Sequence, residues 1–194
     1  MSNKISIGEW YNKILSSKDN QYFILKHLTS SGHGELFLAI TSENYLVGLK
    51  IFMDKRYLEN EIENVKLVQR KIEDIFLPYL DYFIVNIDLN SYYVMVMKYF
   101  EGWILLSEYF SKCLFHYEQK TIIKSKLEMM IHKLHKFSIV HYNIDIDKIL
   151  IHSKNGNIRL LDLGFCMTRF FHDVDEEEFE KMKQRDLDIL LQFN

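Results

Sequence analysis

Proline occurs once in this chain of 194 residues, at Pro78, and cysteine twice, at Cys113 and Cys166. Two cysteines make neither a disulfide framework nor a zinc site. They suit a reducing, intracellular, cytoplasmic setting, in the protein's own cell or in a host's. No apolar run approaches the ~18 residues that a membrane span requires. The opening MSNKISIGEWYNK lacks the apolar core of a signal peptide, so export would need a route the sequence does not display. An excess of one charge is missing too. Lys and Arg number 24 and Asp and Glu 27, interspersed for a net −3, which argues against general nucleic-acid binding.

What is present is apolar: 48% of the residues, enough for a proper core in one domain, or one domain built as two lobes. The fourteen Phe and twelve Tyr, with abundant Ile, Lys and Asn, fit an AT-rich coding sequence as well as any function. Residues 1–20 carry Trp10 and Tyr11 and read as an N-terminal extension with a short helix. Residues 22–52 read as three strands, with a turn at Ser30-Ser31-Gly32-His33-Gly34. A helix follows from about Arg56 to Lys71. At 100° per residue, Leu58, Ile62, Val65 and Val68 form one apolar arc. Glu61 falls inside that arc, whereas Glu59 and Glu63 fall on the wet side. An acid on a buried face needs a cationic partner, and Lys50, in a buried-looking strand, has the same need with opposite sign.

Two more strands are expected over Ile84–Asp88 and Tyr92–Tyr99, turning at Leu89-Asn90-Ser91, before a helical region begins near Ile104. Gln119–Lys136 is the strongest helix: Ile123, Leu127, Met130, Ile131 and Leu134 trace one buried face. Asp173–Glu180 is a dense acidic run, more simply a wet helix face than a docking site for a basic partner. A last short helix is expected over Arg185–Phe193.

Between these lies IVHYNIDIDKILIHSKNGNIRLLDLGF, residues 139–165. Apolar strands flank Asn155-Gly156, a dipeptide that tolerates the positive φ of a tight hairpin turn. The loop from His141 to Lys148 carries one histidine and two aspartates at strand ends, where polar chemistry tends to sit. The fold class expected is α+β: a β-rich lobe with one main helix over 21–100 and a helical lobe over 101–194.

In this order the elements resemble the protein kinase fold, over residues 21–194. Val47-Gly48-Leu49-Lys50 stands where the V-A-I-K lysine is expected. The resemblance implies that Lys50 pairs with Glu61 and with nucleotide phosphates. Met95 to Gly102 resembles the hinge between lobes, with Met97 guarding an adenine pocket to which Leu150 also belongs. Asp162-Leu163-Gly164 stands at D-F-G, so Asp162 would hold Mg²⁺ on the phosphates of ATP. His141 would pack and orient, and Asp186 would brace the loop from below.

The departures are as informative. The kinase loop reads H-R-D-L-x-x-x-N, and here it is His141-Tyr142-Asn143-Ile144-Asp145-Ile146-Asp147-Lys148. Asn143 stands in place of the catalytic aspartate, and an amide cannot accept a hydroxyl proton at neutral pH. Losing a general base costs ~10² to 10⁴ in rate. Lys148 stands in place of the metal-binding asparagine, where it repels Mg²⁺ or neutralises phosphate itself, leaving one ion or none. Thr29, Ser31 and Gly34 fall on the glycine-loop positions, with Gly32 extra, so backbone amides there could still approach phosphate. Gly48 replaces the alanine over the adenine. No A-P-E follows, and Asp186 comes only 24 positions after Asp162, too few for a conventional activation segment.

This shortened form is similar to short bacterial effector kinases that bind ubiquitin-conjugating enzymes, and to what a viral kinase remnant would look like. It implies a pseudokinase that binds nucleotide weakly and acts on another signalling protein, either a kinase or a ubiquitin-conjugating enzyme. Two other readings stay open: an active atypical ATP-dependent Ser/Thr kinase that tolerates Asn143, and a transferase acting on a non-protein substrate.

Overall fold

Every residue from Val47 to Phe52 is buried, which marks this strand as central to a sheet covered on both faces. The computed structural model describes residues 7–11, 13–72, 74–99, 101–112, 117–169 and 173–193. Phe100, in the expected hinge, and Cys113 lie outside them. The chain is a mixed α+β protein that divides into two compact units. One comprises Met1–Glu63 and Leu77–Glu101, the other Asn64–Phe76 and Gly102–Asn194.

The first unit is built on six antiparallel strands. These are β1 (Ile14–Ser16), β2 (Gln21–Ser30), β3 (Gly34–Thr41), β4 (Leu46–Phe52), β5 (Tyr79–Ile87) and β6 (Asn90–Lys98), ordered β1-β2-β3-β4-β6-β5. Successive side chains alternate across a strand. On β4 this sends Val47, Leu49 and Ile51 into a cluster with Trp10, Leu15, Tyr22, Phe37, Phe83 and Tyr92. Gly48, Lys50 and Phe52 take the opposite face. The expected three strands of residues 22–52 are present as β2 to β4.

Trp10 and Leu15 belong to the core of this unit. Helix α1 (Ile7–Trp10) sets Trp10 edge-on to Tyr92 at 5.0 Å, and β1 pairs with β2 through Leu15↔Tyr22. A three-residue strand is too short for its alternation to show, and its burial depends on a sheet face that only the folded chain supplies. The turn before β6 also moves, to Asp88-Leu89, because Asp88 accepts a positive φ of 55° and Asn90 is already paired with Ile87.

Helix α2 (Lys55–Gln69) carries Leu58, Glu61, Ile62, Val65 and Val68 on its buried face, and the boundary between the units falls within it. Residues 64–76 therefore count with the second unit rather than with the expected lobe of 21–100. Within that unit Phe76 bridges Leu160, and Leu160 N donates to Ile75 O at 2.8 Å.

The rest of the second unit comprises β7 (Trp103–Leu105), α3 (Leu106–Lys112), α4 (Tyr117–Lys136), β8 (Ile139–Val140), β9 (Ile149–His152), β10 (Ile158–Leu160), β11 (Met167–Thr168) and α5 (Glu176–Asp188). Strands β10-β9-β7 form one small sheet and β11-β8 another. Leu127, Ile131 and Leu134 of α4 are fully buried, as its periodicity predicts. The β9–β10 connection is wider than a two-residue turn. His152 N donates to Asn157 O at 2.8 Å, closing a loop in which Gly156 alone takes positive φ, 62°. The acidic run and the first residues of the expected last helix share α5, and Ile189–Phe193 follow as a 3-10 helix; Asp175 caps α5 by accepting from Glu178 N at 2.8 Å. Glu176, Glu177 and Glu178 then meet the positive end of the helix dipole, which is why so acidic a segment is helical.

Candidate functional site

The first unit holds Gly32, Gly34, Lys50, Glu61 and Met97. Lys50 lies on β4 opposite Leu36 and Met95, and its Nζ meets Glu61 Oε2 at 2.5 Å. Both side chains are almost wholly buried, at 3% and 1% exposure. The strand and the helix each place one charge on a buried face, and the two charges answer each other. The Lys50 ammonium also lies 5.2 Å from the centre of the Phe52 ring. Met97 is buried on β6 beside Gly48.

Gly34 has a local cause. A Cβ there would come within 2.6 Å of Ile51 O, so β3 can cross β4 this closely only without a side chain. Ser31 Oγ accepts from Gly34 N at 3.1 Å, and Ser31 N donates to Gly34 O at 2.8 Å, which closes the β2–β3 turn on itself. Gly32 is exposed at its tip. A cleft of about 620 Å³ in this unit, lined by Thr41, Tyr45, Val47, Lys98 and Glu101 among others, contains none of the candidate residues.

The second unit holds Asn143, Lys148, Leu150 and Asp162. Leu150 is buried in the middle strand, β9, between Leu105 and Arg159. Asp162 follows β10 in the left-handed conformation, φ 66°, an uncommon backbone state for a non-glycine residue. Lys148 Nζ lies 3.2 Å from Asp162 Oδ2, and both side chains are buried. Beside the pair, Leu161 N donates to Lys148 O at 2.8 Å. Leu163–Phe165 form a 3-10 turn, held by Asn64 Nδ2 donating to Leu163 O at 2.9 Å.

Asp186, at 1% exposure, braces the loop after β8. Its Oδ2 accepts from His141 N at 2.8 Å and its Oδ1 from Tyr142 N at 2.7 Å, while His135 Nε2 lies 3.1 Å from Oδ2. Two main-chain donors on one carboxylate fix the direction in which the loop leaves the strand. His141 is fully buried, its Nε2 2.8 Å from Leu161 O, a carbonyl that can only accept. Burial pushes the imidazole down from its ordinary value; Asp186, the Leu161 carbonyl and Asp162 oppose this, and Lys148 adds to it. The ring is therefore neutral, with the proton on Nε2, and acts as a spacer.

Asn143 is half-buried and lines a polar cleft of about 300 Å³ with Tyr142, Ile144, Arg185, Asp188 and Gln192. The Arg185 guanidinium sits over the Tyr142 ring at 4.4 Å. Asp145 and Asp147 are exposed, in keeping with a solvated loop. Chemically, this arrangement presents a fixed loop, an amide and a cation, with no carboxylate at position 143.

Sequence reasoning missed Asn64. It is buried, and it lies at the edge of the arc that includes Glu61, so the helical wheel carried the signal. Arg159 was also missed. Its guanidinium donates to Phe76 O and lies 5.4 Å from the Trp103 ring, and desolvation lowers its pKa against the pull of Asp74.

No protein-family model matches the chain. Over 171 residues, 84% of its length, it is 26% identical to the serine/threonine-protein kinase max-2 of Caenorhabditis elegans. The match spans about a quarter, 26%, of that protein. The chain is thus distantly similar to a serine/threonine kinase. Among the described residues, no helix is long and apolar enough to cross a membrane.

Proposed function

We propose that this chain is a protein-kinase-like domain that has lost phosphotransfer. In this reading it binds ATP weakly through Lys50, Glu61 and Asp162, and works by binding and regulating another signalling protein inside the cell. The observation that carries the proposal is the loop fixed by Asp186. The backbone at 141 and 142 is held by a buried carboxylate, and the next residue is Asn143. A loop kept in position without its proton acceptor supports binding without turnover. A kinase or a ubiquitin-conjugating enzyme is the class of partner that the resemblance suggests.

The second reading, an active atypical Ser/Thr kinase, draws on the name of the relative. It also draws on the chemistry, since phosphoryl transfer depends mainly on positioning and electrostatics.

One experiment separates them. Transfer from radiolabelled ATP to the chain itself and to a generic protein substrate is compared among the native protein, Asn143→Asp and Lys50→Met, each checked for folding. The expected result is no transfer by the native protein above the Lys50→Met background, and a gain in Asn143→Asp. Transfer by the native protein that vanishes in Lys50→Met would establish the enzyme instead. A thermal titration with ATP tests the nucleotide separately, because a ligand of the folded state must raise the melting temperature.

A further inference from the structure

The residues around Asp162 suit an internal ammonium better than a metal ion. Mg²⁺ takes oxygen ligands in near-octahedral geometry and is usually held by one or two carboxylates together with phosphate oxygens. Asp162 offers one carboxylate, and the residue beside it is a lysine, whose protonated amine has no lone pair to donate. Among the described residues, no group of three His, Cys, Asp or Glu is placed to hold an ion.

The lysine is not a passing surface neighbour. Lys148 is buried, its Nζ is 3.2 Å from Asp162 Oδ2, and the same ammonium lies 5.7 Å from the centre of the Phe165 ring. Its backbone closes a separate 3-10 turn, Ile146–Lys148, by Lys148 N donating to Asp145 O at 2.9 Å, and Lys148 O accepts from Leu161 N at 2.8 Å. The chain on both sides of the pair is thus hydrogen-bonded into place. A divalent ion at Asp162 would face this ammonium at ion-pair distance. Displacing the ammonium would separate it from its carboxylate in a buried setting, which is costly.

Resting on the reading of the chain as a nucleotide-binding domain, we infer that the Lys148 ammonium takes the place of a divalent cation at Asp162, so that nucleotide binding here needs no Mg²⁺. Lys148 supplies one fixed positive charge, and a nucleotide carrying its own charge to this site meets an ammonium rather than an ion it must bring along.

The test uses the whole chain. Affinity for a non-hydrolysable ATP analogue is measured with Mg²⁺ and with EDTA, for the native protein, Lys148→Asn and Lys148→Gln. The inference expects affinities equal within about threefold for the native protein, and a preference for Mg²⁺ of about tenfold or more in the Asn variant, whose amide oxygen can ligate. A native protein that binds about tenfold tighter with Mg²⁺ overturns it, and that comparison needs no variant.

If the analogue binds under neither condition, the nucleotide reading falls and a second measurement decides the inference alone. Mn²⁺ is titrated into labelled protein, and paramagnetic broadening of the Leu163 and Gly164 amides is followed. Broadening in Lys148→Asn but not in the native protein supports the inference. Broadening in both, or in neither, overturns it, because Lys148 would then not be what keeps the metal out.

Discussion

Asn64, on the buried face of α2, donates its side-chain amide to the carbonyl of Leu163 at 2.9 Å, across 99 positions of sequence. The bond fastens the turn that follows Asp162. Asp162 is held at φ 66°, and the Asn64 bond adds to the one that Cys166 N makes to the same Leu163 carbonyl at 3.1 Å.

Replacing Asn64 with alanine removes this donor and leaves Leu163 O with its 3.1 Å bond from Cys166 N. The expected loss is about 0.5–1.5 kcal/mol, read as a lower urea midpoint with an unchanged slope. An unshifted midpoint would mean that the turn holds itself.

Lys50 and Glu61 make the second test. Removing one partner of a buried ion pair costs about 3–5 kcal/mol, whereas replacing both with apolar groups of similar size is often neutral. Lys50→Met is therefore expected to destabilise the protein strongly, and the double variant Lys50→Met, Glu61→Leu to recover most of that loss. Additive single losses would show that the pair is not coupled. The result bears on function too, because an inactive Lys50 variant is informative only if it is folded.

Gly48 lies inside β4, where glycine carries an entropic cost. A Cβ at this position would meet Leu36 Cδ1 and Met97 Cε at 3.6 Å, ordinary van der Waals contact, and the backbone is not in the left-handed region. Gly48→Ala is expected to stabilise the fold by about 0.4–1 kcal/mol, raising Tm by about 1–4 °C. A drop in Tm would show that Met97 cannot yield the space. Gly34→Ala should do the opposite, because the 2.6 Å contact there is to a backbone oxygen that cannot move aside cheaply.

Much of this is legible in the sequence. The burial of Glu61 and its need for a cation followed from the wheel of α2, and Lys50 presented the complementary need on β4. Both are consequences of periodicity, which sequence records directly. What did not show was whatever depends on distant partners. β1 and Trp10 are fixed by a sheet face assembled from residues up to Val96. The pairing of Lys148 with Asp162 arises because β9 and β10 run side by side. The wide loop at Gly156 escaped because Asn-Gly permits positive φ at both residues without compelling it. Position 143 could be named from the sequence, but what fixes its loop, the carboxylate of Asp186, is visible only where the hydrogen bonds are drawn.

Burial of His141 ties the stability of the fold to pH. The imidazole of His141 is held below its unfolded value of about 6.5, chiefly by burial, and the Asp186 and Asp162 carboxylates do not overcome this. The folded protein therefore declines a proton that the unfolded chain accepts. Above about pH 6.5 neither state is protonated and stability is at its full value. As pH falls below that point the unfolded state gains the proton first, and stability drops by up to about 1.4 kcal/mol per pH unit until the folded-state value is reached. His141→Gln keeps an N–H donor for Leu161 O but does not titrate. Its stability should fall less steeply than that of the native protein between about pH 6.5 and 5. Equal slopes in urea unfolding across this range would show that His141 takes up its proton without leaving the fold.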